Sequence, residues 1–115
     1  MTDLENLREQ LRRFAAERDW DQFHSPKNLA MALSAEAGEL LEAFQWLSEE
    51  QSRRLSPEAL EAASEEIADV LLYLVRLSDK LGIDPIAVAR RKLEKNAERY
   101  PADKARGNSR KYTEL

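Results

Sequence analysis

The chain has 115 residues, no cysteine, three glycines and a net charge of −4. This length is typical of one domain, and the absence of cysteine excludes disulfides, thiolate metal sites and cysteine nucleophiles. The acidic balance argues against a binder of nucleic acid polymers, and no apolar run reaches the roughly 18 residues of a membrane span. The polar N-terminus does not resemble a signal peptide. We therefore expect a cytoplasmic protein.

The charges are distributed unevenly along the chain. Residues 1–89 contain 9 basic and 18 acidic side chains, whereas residues 90–115 contain 9 basic and 4 acidic ones. A long acidic part followed by a short basic part offers material for a cation site and an anion site in one protein. Ordinary solvated charges on a helical protein give the same composition, so the asymmetry alone does not indicate a function.

Helical periodicity begins near the N-terminus. Apolar residues recur at three- and four-residue spacing and predict a first helix over residues 3–17. Thr2 and Glu5 have the spacing of a capping box, which satisfies two backbone N–H groups at a helix start. The polar segment from Arg18 to His24 breaks the apolar pattern, so we predict a loop there.

A capping side chain followed by proline opens each of the three later helices. The pairs are Ser25-Pro26, Ser56-Pro57 and Asp84-Pro85. The helices are predicted to end near Leu47, near Leu81 and near Tyr100, respectively. We therefore predict an all-α protein whose residues 1–100 form an antiparallel four-helix bundle, because short connections favour antiparallel neighbours. Residues 101–115 are predicted to form an extended basic tail.

The helix predicted to start at residue 57 is apolar around most of its circumference between residues 67 and 77. A surface helix has a single apolar stripe, whereas a helix that is apolar all round is buried on all sides. Four helices of a small bundle cannot surround one of their own number. We therefore expect this helix to lie at an interface between copies of the chain.

Two pairs of acidic residues lie within apolar helix faces. On a helical wheel, Glu36 falls among Leu29, Leu33 and Leu40, and Glu39 lies at the edge of that stripe. On the next predicted helix, Glu66 lies within the apolar stripe and Asp69 lies at its edge, in the same arrangement. Glu42 points away from the stripe, as expected for a solvated charge.

Four carboxylates on core-facing surfaces require something that neutralises them. The options are protonation, pairing with arginine or lysine, or binding of divalent cations, for which carboxylate oxygens are suitable ligands. An incorrect phase on the helical wheel would instead make these residues surface acids. The pattern alone leaves a metal site and solvated surface charges as alternatives.

The whole chain resembles the MazG-like, all-α nucleotide pyrophosphohydrolases. Their signature of E-x-x-E on one helix and E-x-x-D on the next is matched by Glu36, Glu39, Glu66 and Asp69. The resemblance is strongest to the dCTP pyrophosphatase branch. It is carried by the segments FAAERDWDQFHSPKNL (Phe14 to Leu29), GELLEAFQW (Gly38 to Trp46) and SRKYTEL (Ser109 to Leu115).

This resemblance implies a homotetramer or dimer that binds Mg²⁺ and hydrolyses dCTP, or a modified dCTP, to the monophosphate and pyrophosphate. It implies that the four acidic residues are the metal ligands and catalytic groups. It also implies contacts with the nucleotide from three parts of the chain. These are Trp20, Asp21, Gln22, Phe23 and His24 in the loop, Trp46 and Tyr73 in the central helices, and Lys92 and Asn96 in the last helix.

The chemistry of the residues agrees with this function. A bound Mg²⁺ can activate water and screen a triphosphate, and Glu39 could accept the proton of that water. Trp20 and Trp46 could stack on a base, and the basic C-terminal part could meet phosphates. One position departs from the pattern, because Leu11 stands where relatives have a histidine that touches substrate. Two alternatives are a broader dNTP pyrophosphatase and a non-catalytic helical module that senses nucleotides or binds a partner protein.

Overall fold

Helices form all of the regular structure in the computed structural model, which describes residues 1–115 and contains no strand. The helices are α1 (Asp3–Glu17), α2 (Pro26–Glu42), α3 (Glu49–Ser52), α4 (Pro57–Lys80), α5 (Pro85–Arg99) and α6 (Ala102–Ala105). Single 3-10 turns form at Asp21–Phe23 and Tyr112–Glu114. The prediction of an all-α protein is confirmed. No helix combines the length and the apolar composition that crossing a bilayer requires.

The predicted helix starts are confirmed, because each cap forms its hydrogen bond. The Thr2 hydroxyl accepts from the Glu5 backbone N–H at 3.2 Å, and the Glu5 carboxylate accepts from the Thr2 N–H at 2.9 Å. Ser25, Ser56 and Asp84 each accept a backbone N–H from the first turn of α2, α4 and α5. In each case proline follows at the first helical position, where no N–H is needed.

The end of α2 corrects the prediction, which placed it near Leu47. The backbone N–H groups of Ala43 and Phe44 bond to carbonyls three residues back, at 3.2 and 2.9 Å. This tightened turn ends the helix at Glu42. Ser48 then opens the short helix α3 through a capping box with Gln51. Residues 43–47 form the turns between the two helices.

The chain forms two compact units, Met1–Gly82 and Ile83–Leu115. Within the first unit, α4 packs against both α1 and α2. Small side chains, Ala15 and Ala63, are buried together with Leu29 and Val75. The opposite face of α4 remains exposed, at Leu60, Ile67, Leu71 and Leu74. The four-helix bundle and the division at residue 100 stay predictions.

The second unit corrects the prediction of an extended tail at two places. Residues 102–105 form α6, and the 3-10 turn at Tyr112–Glu114 follows near the C-terminus. The Tyr112 ring meets the Tyr100 ring edge-on, with centroids 6.0 Å apart, and the Arg99 guanidinium lies 5.0 Å from the Tyr112 centroid. These contacts join the turn near the C-terminus to the end of α5.

Candidate metal centre

Three of the four predicted metal ligands meet between α2 and α4. Glu36 and Glu39 extend from α2 and Glu66 extends from α4, and one carboxylate oxygen of each lies within 4.8 Å of the others. Glu36 and Glu39 are three residues apart, so their carboxylates lie on adjacent turns of one face of α2. The packing of α4 against α2 then brings the third carboxylate to them. We call these three residues the carboxylate cluster.

Two members of the carboxylate cluster have a buried oxygen without any hydrogen-bond partner. These atoms are Oε2 of Glu36 and Oε2 of Glu66, whereas Glu39 is exposed. No salt bridge with arginine or lysine reaches any of the three carboxylates. A buried carboxylate oxygen without a partner is costly, because the group loses hydration and gains nothing in return.

The proximity of these carboxylates changes their acid–base behaviour. The pKa of Glu66 is raised to about 7, first by side-chain hydrogen bonding with Glu36, then by burial, and then by Glu39. Each cause favours the protonated form of Glu66. A protonated carboxyl can donate a hydrogen bond to Glu36, burial disfavours a charge, and the nearby carboxylates repel one. The protein by itself therefore neutralises the cluster only by binding a proton.

The carboxylate cluster fits a hard divalent cation. Mg²⁺ prefers oxygen ligands, and the cluster supplies three carboxylates that include two oxygens with no other partner. A cation would satisfy both buried oxygens and remove the repulsion between the three groups. Asp69, the fourth predicted ligand, is not one of the three residues that meet. It lies half-buried one turn further along α4, and its role as a ligand stays a prediction.

The predicted nucleotide contacts in the first unit are largely exposed aromatic residues. Trp46, in the turns that follow α2, is 85% exposed. Phe23, in the loop that precedes α2, is 59% exposed. Trp20 is 45% exposed and packs edge-on against Phe14, with centroids 5.7 Å apart. Tyr73 is half-buried on α4. Large apolar surfaces left open in this way are suited to a stacked base.

Two loop residues that are predicted to contact the nucleotide form hydrogen bonds with α4. Arg76 donates from Nε to Nδ1 of His24 at 3.1 Å and from Nη2 to Oδ1 of Asp21 at 2.7 Å. A third loop residue, Gln22, donates to the backbone oxygen and carboxylate of Asp19, both at 3.0 Å. These bonds do not test the predicted nucleotide contacts, but they show what holds the loop.

The group of charges around Arg76 was not predicted from the sequence. We call it the Arg76 cluster, and its members are Arg12, Asp21, His24, Arg76, Asp79 and Lys80. All of them except His24 line a depression of about 420 Å³, together with Ala16. The interruption of an apolar helix by Arg76 was the available signal, because a buried arginine requires partners.

Lys92 and Asn96 lie in the second unit. Both are on α5, where Lys92 is exposed and Asn96 is half-buried. Their spacing of four residues places them on one face of that helix. Their predicted contacts with phosphates or base stay predictions.

Three comparisons with known proteins describe what the chain is similar to. Residues 31–115 match the model of the MazG-like family. The chain is 50% identical over 115 residues to dCTP pyrophosphatase 1 of Homo sapiens, an alignment that covers 97% of this chain and 67% of that protein. It is 44% identical over 114 residues to dCTP pyrophosphatase 1 of Bos taurus, covering 97% of this chain and 68% of that protein.

A solved structure agrees with these sequence matches. A pyrophosphatase from Archaeoglobus fulgidus has a TM-score of 0.79 to this chain at 44% sequence identity. The match covers 88% of this chain and 94% of the archaeal one. Likeness over nearly the whole of both chains means that the helical fold is shared, rather than one helix pair alone.

Proposed function

The chain belongs to the MazG-like family, and on that premise we propose that it is a pyrophosphohydrolase that converts dCTP and water to dCMP and pyrophosphate. The names of its relatives support the substrate, and the archaeal pyrophosphatase supports the reaction class. The single observation that carries the proposal is the carboxylate cluster with its two unpartnered buried oxygens. A surface of carboxylates repels a triphosphate unless cations are bound, so the cluster and the substrate require the same ions.

Glu36, Glu39 and Glu66 would hold Mg²⁺, and Asp69 completes the predicted ligand set from the next turn of α4. Mg²⁺ when bound supplies Lewis-acid polarisation of the phosphate and a lower pKa for water. The carboxylates contribute the negative charge that retains the ion. Glu36 and Glu66 each have a buried oxygen without a hydrogen-bond partner, so they are the members best suited to bind the ion.

The proposed reaction is hydrolysis at the α-phosphorus. The water oxygen forms a bond to that phosphorus, and the anhydride bond to the β-phosphate breaks, so pyrophosphate leaves. The proton of the water passes to a carboxylate, and we assign this role to Glu39. Glu39 is the exposed member of the carboxylate cluster, so it can accept a proton from water and return it to solvent.

The remaining predicted contacts would bind and orient the nucleotide. Trp20 and Trp46 present exposed indole rings on which a base can stack, an interaction worth about 1–3 kcal/mol per base. Tyr73 offers a hydroxyl from the helix that carries Glu66. The remaining loop residues, Asp21, Gln22, Phe23 and His24, would line the same site, and Lys92 and Asn96 would meet the phosphates or the base.

We also propose that the chain is cytoplasmic and functions as a homotetramer or a dimer. The support is the exposed apolar face of α4, where Ile67 is 57% exposed and Leu71 is 44% exposed. Such residues at helical spacing are normally covered by a partner helix. Sedimentation measurements should show an oligomer that is weakened by Leu71→Lys but not by Glu61→Lys on the same helix. A monomeric wild-type protein at micromolar concentration would contradict the proposal.

Product analysis tests the reaction directly. dCTP incubated with the protein and Mg²⁺ should yield dCMP and pyrophosphate in equal amounts, and excess EDTA should stop the reaction. Release of dCDP and orthophosphate would refute attack at the α-phosphorus. A panel of dCTP, modified dCTP and other dNTPs, compared by kcat/KM, would define the base preference, which the Leu11 substitution leaves open.

Thermal unfolding tests the metal site without any turnover. Mg²⁺ binds only the folded carboxylate cluster, so it should raise the Tm, and a concentration of 100 times Kd corresponds to about 2.7 kcal/mol. The shift should disappear in Glu36→Gln and persist in Glu42→Gln, an exposed acid on the same helix. An equal shift in both variants would mean that Mg²⁺ binds elsewhere.

A further inference from the structure

The most deeply buried charge in the first unit is the guanidinium of Arg76, whose side chain is 7% exposed. It lies on α4 and contacts three groups at once. These are Nδ1 of His24 at 3.1 Å, Oδ1 of Asp21 at 2.7 Å and Oδ2 of Asp79 at 3.6 Å. Asp79 in turn accepts from Nε of Arg12 on α1 at 2.7 Å. One buried cation therefore connects α1, α4 and the loop between α1 and α2.

The other hydrogen bonds in the middle of the loop are short-range: the Phe23 N–H donates to the Trp20 carbonyl at 2.9 Å, and the Gln22 side chain donates to Asp19 at 3.0 Å. The start of the loop is held by the Trp20 backbone N–H, which donates to the Ala15 carbonyl at 2.9 Å. Its end is held by the Asn28 side chain, which donates to the Phe23 carbonyl at 3.0 Å. Two side chains of α4 hold the loop from outside it. Arg76 donates to both Asp21 and His24, and Lys80 donates to Asp21. Asp21 follows Trp20 directly, so its position orients the backbone from which the indole packs edge-on against Phe14.

We infer that Arg76 is a positioning residue of the nucleotide site: its guanidinium fixes Asp21 and His24 to α4 and thereby, together with the packing on Phe14, sets the position of the Trp20 ring. The inference rests on the proposed function only in taking Trp20 as a nucleotide contact. A planar guanidinium suits this role because it donates in two directions with fixed geometry, whereas an ammonium group is a point charge. The interaction with His24 requires a neutral imidazole with the proton on Nε2.

This role differs from ordinary structural pairing in its expected consequences. A substitution that only weakens the fold accelerates hydrogen exchange of all the most protected amides together. Loss of a local anchor accelerates exchange in the loop alone. It should also weaken binding of the substrate more than turnover, because the carboxylate cluster is made by other residues of α4 and by α2.

Hydrogen exchange followed by mass spectrometry tests the inference in Arg76→Lys and Asp21→Asn. Arg76→Lys keeps the charge, and Asp21→Asn changes an exposed side chain, so both variants are expected to fold. Exchange of the peptide over residues 18–24 should accelerate in each, while peptides from α2 and α4 stay unchanged. Arg54→Lys, at an exposed arginine paired only with Glu50, is the matched control and should change neither.

Steady-state kinetics supply the second readout. The KM for dCTP should rise about tenfold in Arg76→Lys, the factor of one charge-assisted hydrogen bond, with little change in kcat. Unchanged or uniformly faster exchange in both variants, or a fall in kcat at constant KM, would overturn the inference. If the wild-type protein does not cleave dCTP, the proposed function fails, and the exchange result still decides whether Arg76 anchors the loop.

Discussion

Glu66 and Arg76 are charged residues of α4 whose surroundings differ in how they treat the charge. Glu66 and Arg76 are ten residues apart, about 15 Å along the helix axis, and each meets side chains from elsewhere in the first unit. Arg76 finds two carboxylates and an imidazole, so the chain itself satisfies the charge. Glu66 finds two further carboxylates, which add to the charge rather than cancel it.

The difference separates a buried charge that stabilises the fold from a buried charge that is suited to binding a ligand. A paired charge stabilises the native state as it stands, whereas like charges brought together cost free energy until a cation or a proton arrives. The pKa of Glu66, raised to about 7, is the mark of this cost. The pKa of Asp79 is shifted the other way, below its usual range, chiefly by the hydrogen bond from Arg12.

The largest effect is expected from substitutions in the carboxylate cluster. Glu36→Gln and Glu66→Gln keep the size of each side chain and remove the charge that holds the ion. We expect kcat/KM for dCTP to fall at least about a thousandfold, as for other groups that act as a unit in catalysis. Glu42→Gln and Glu65→Gln, exposed neighbours on the same two helices, are the controls and should retain activity. Retained turnover in Glu66→Gln would remove it from the site.

Truncation of Arg76 should mainly lower the stability of the fold, whereas the carboxylate substitutions should mainly lower activity. Arg76→Ala leaves Nδ1 of His24 without its donor and leaves Asp21 and Asp79 with one cation each, Lys80 and Arg12. We expect the free energy of unfolding to fall by about 2 kcal/mol. Urea denaturation with and without the substitution measures this loss. Arg54→Ala removes an exposed arginine and should change stability by less than about 0.5 kcal/mol. Equal losses in the two variants would mean that the Arg76 cluster contributes nothing beyond a surface pair.

A smaller effect is expected at the outer part of the Arg76 cluster. Arg12 is 47% exposed and Asp79 is 11% exposed, so solvent screens their attraction more than it screens Arg76. A double-mutant cycle with Arg12→Ala and Asp79→Asn should give a favourable coupling that is smaller than the loss in Arg76→Ala. The pair Arg53 and Glu49, which is 3.9 Å apart and more exposed, should give a smaller coupling in the same experiment. The reverse order would contradict the role of burial.

The smallest effect is a pH dependence at the only histidine. Burial, then Arg76, then Lys80 lower the pKa of His24 below its usual 6.5, while Asp21 opposes them. The unfolded chain therefore binds the proton more readily, so stability is complete above pH 6.5 and declines as the pH falls below it. His24→Gln should flatten this decline in urea titrations at several pH values.

The carboxylate cluster must be held constant in that experiment. The raised pKa of Glu66 acts in the opposite direction, because it stabilises the folded state at low pH and the benefit is lost as the pH rises toward 7. Both proteins should therefore carry Glu66→Gln. A decline that is equally steep with and without His24 would show that the bond from Arg76 does not depend on a neutral imidazole.

Local features of the fold could be predicted because their physics is local. The caps at Ser25, Ser56 and Asp84 act within three residues of themselves, so the starts of α2, α4 and α5 were predictable. The end of α2 was not, because the apolar residues before Leu47 continue a helical pattern while the backbone already turns at Ala43. A periodic pattern records which side chains are apolar and does not record where the backbone hydrogen bonds change to three-residue spacing.

The candidate site was predictable to the extent that it follows helical geometry. The wheel placed Glu36 and Glu66 on apolar faces, and the structure half-buries both. It could not show that Glu36, Glu39 and Glu66 meet while Asp69 lies a turn away, because that depends on how α2 and α4 pack.

By itself, the sequence determined the helices, their starts and the acidic character of one helix face, because these depend on neighbours a few residues apart. Only the tertiary structure decided which charges are satisfied. Arg76 meets partners that are 52 and 55 residues away along the chain, and Glu66 meets carboxylates on another helix. The free energy of a buried charge depends on what is packed beside it, and spacing along the chain does not contain that information.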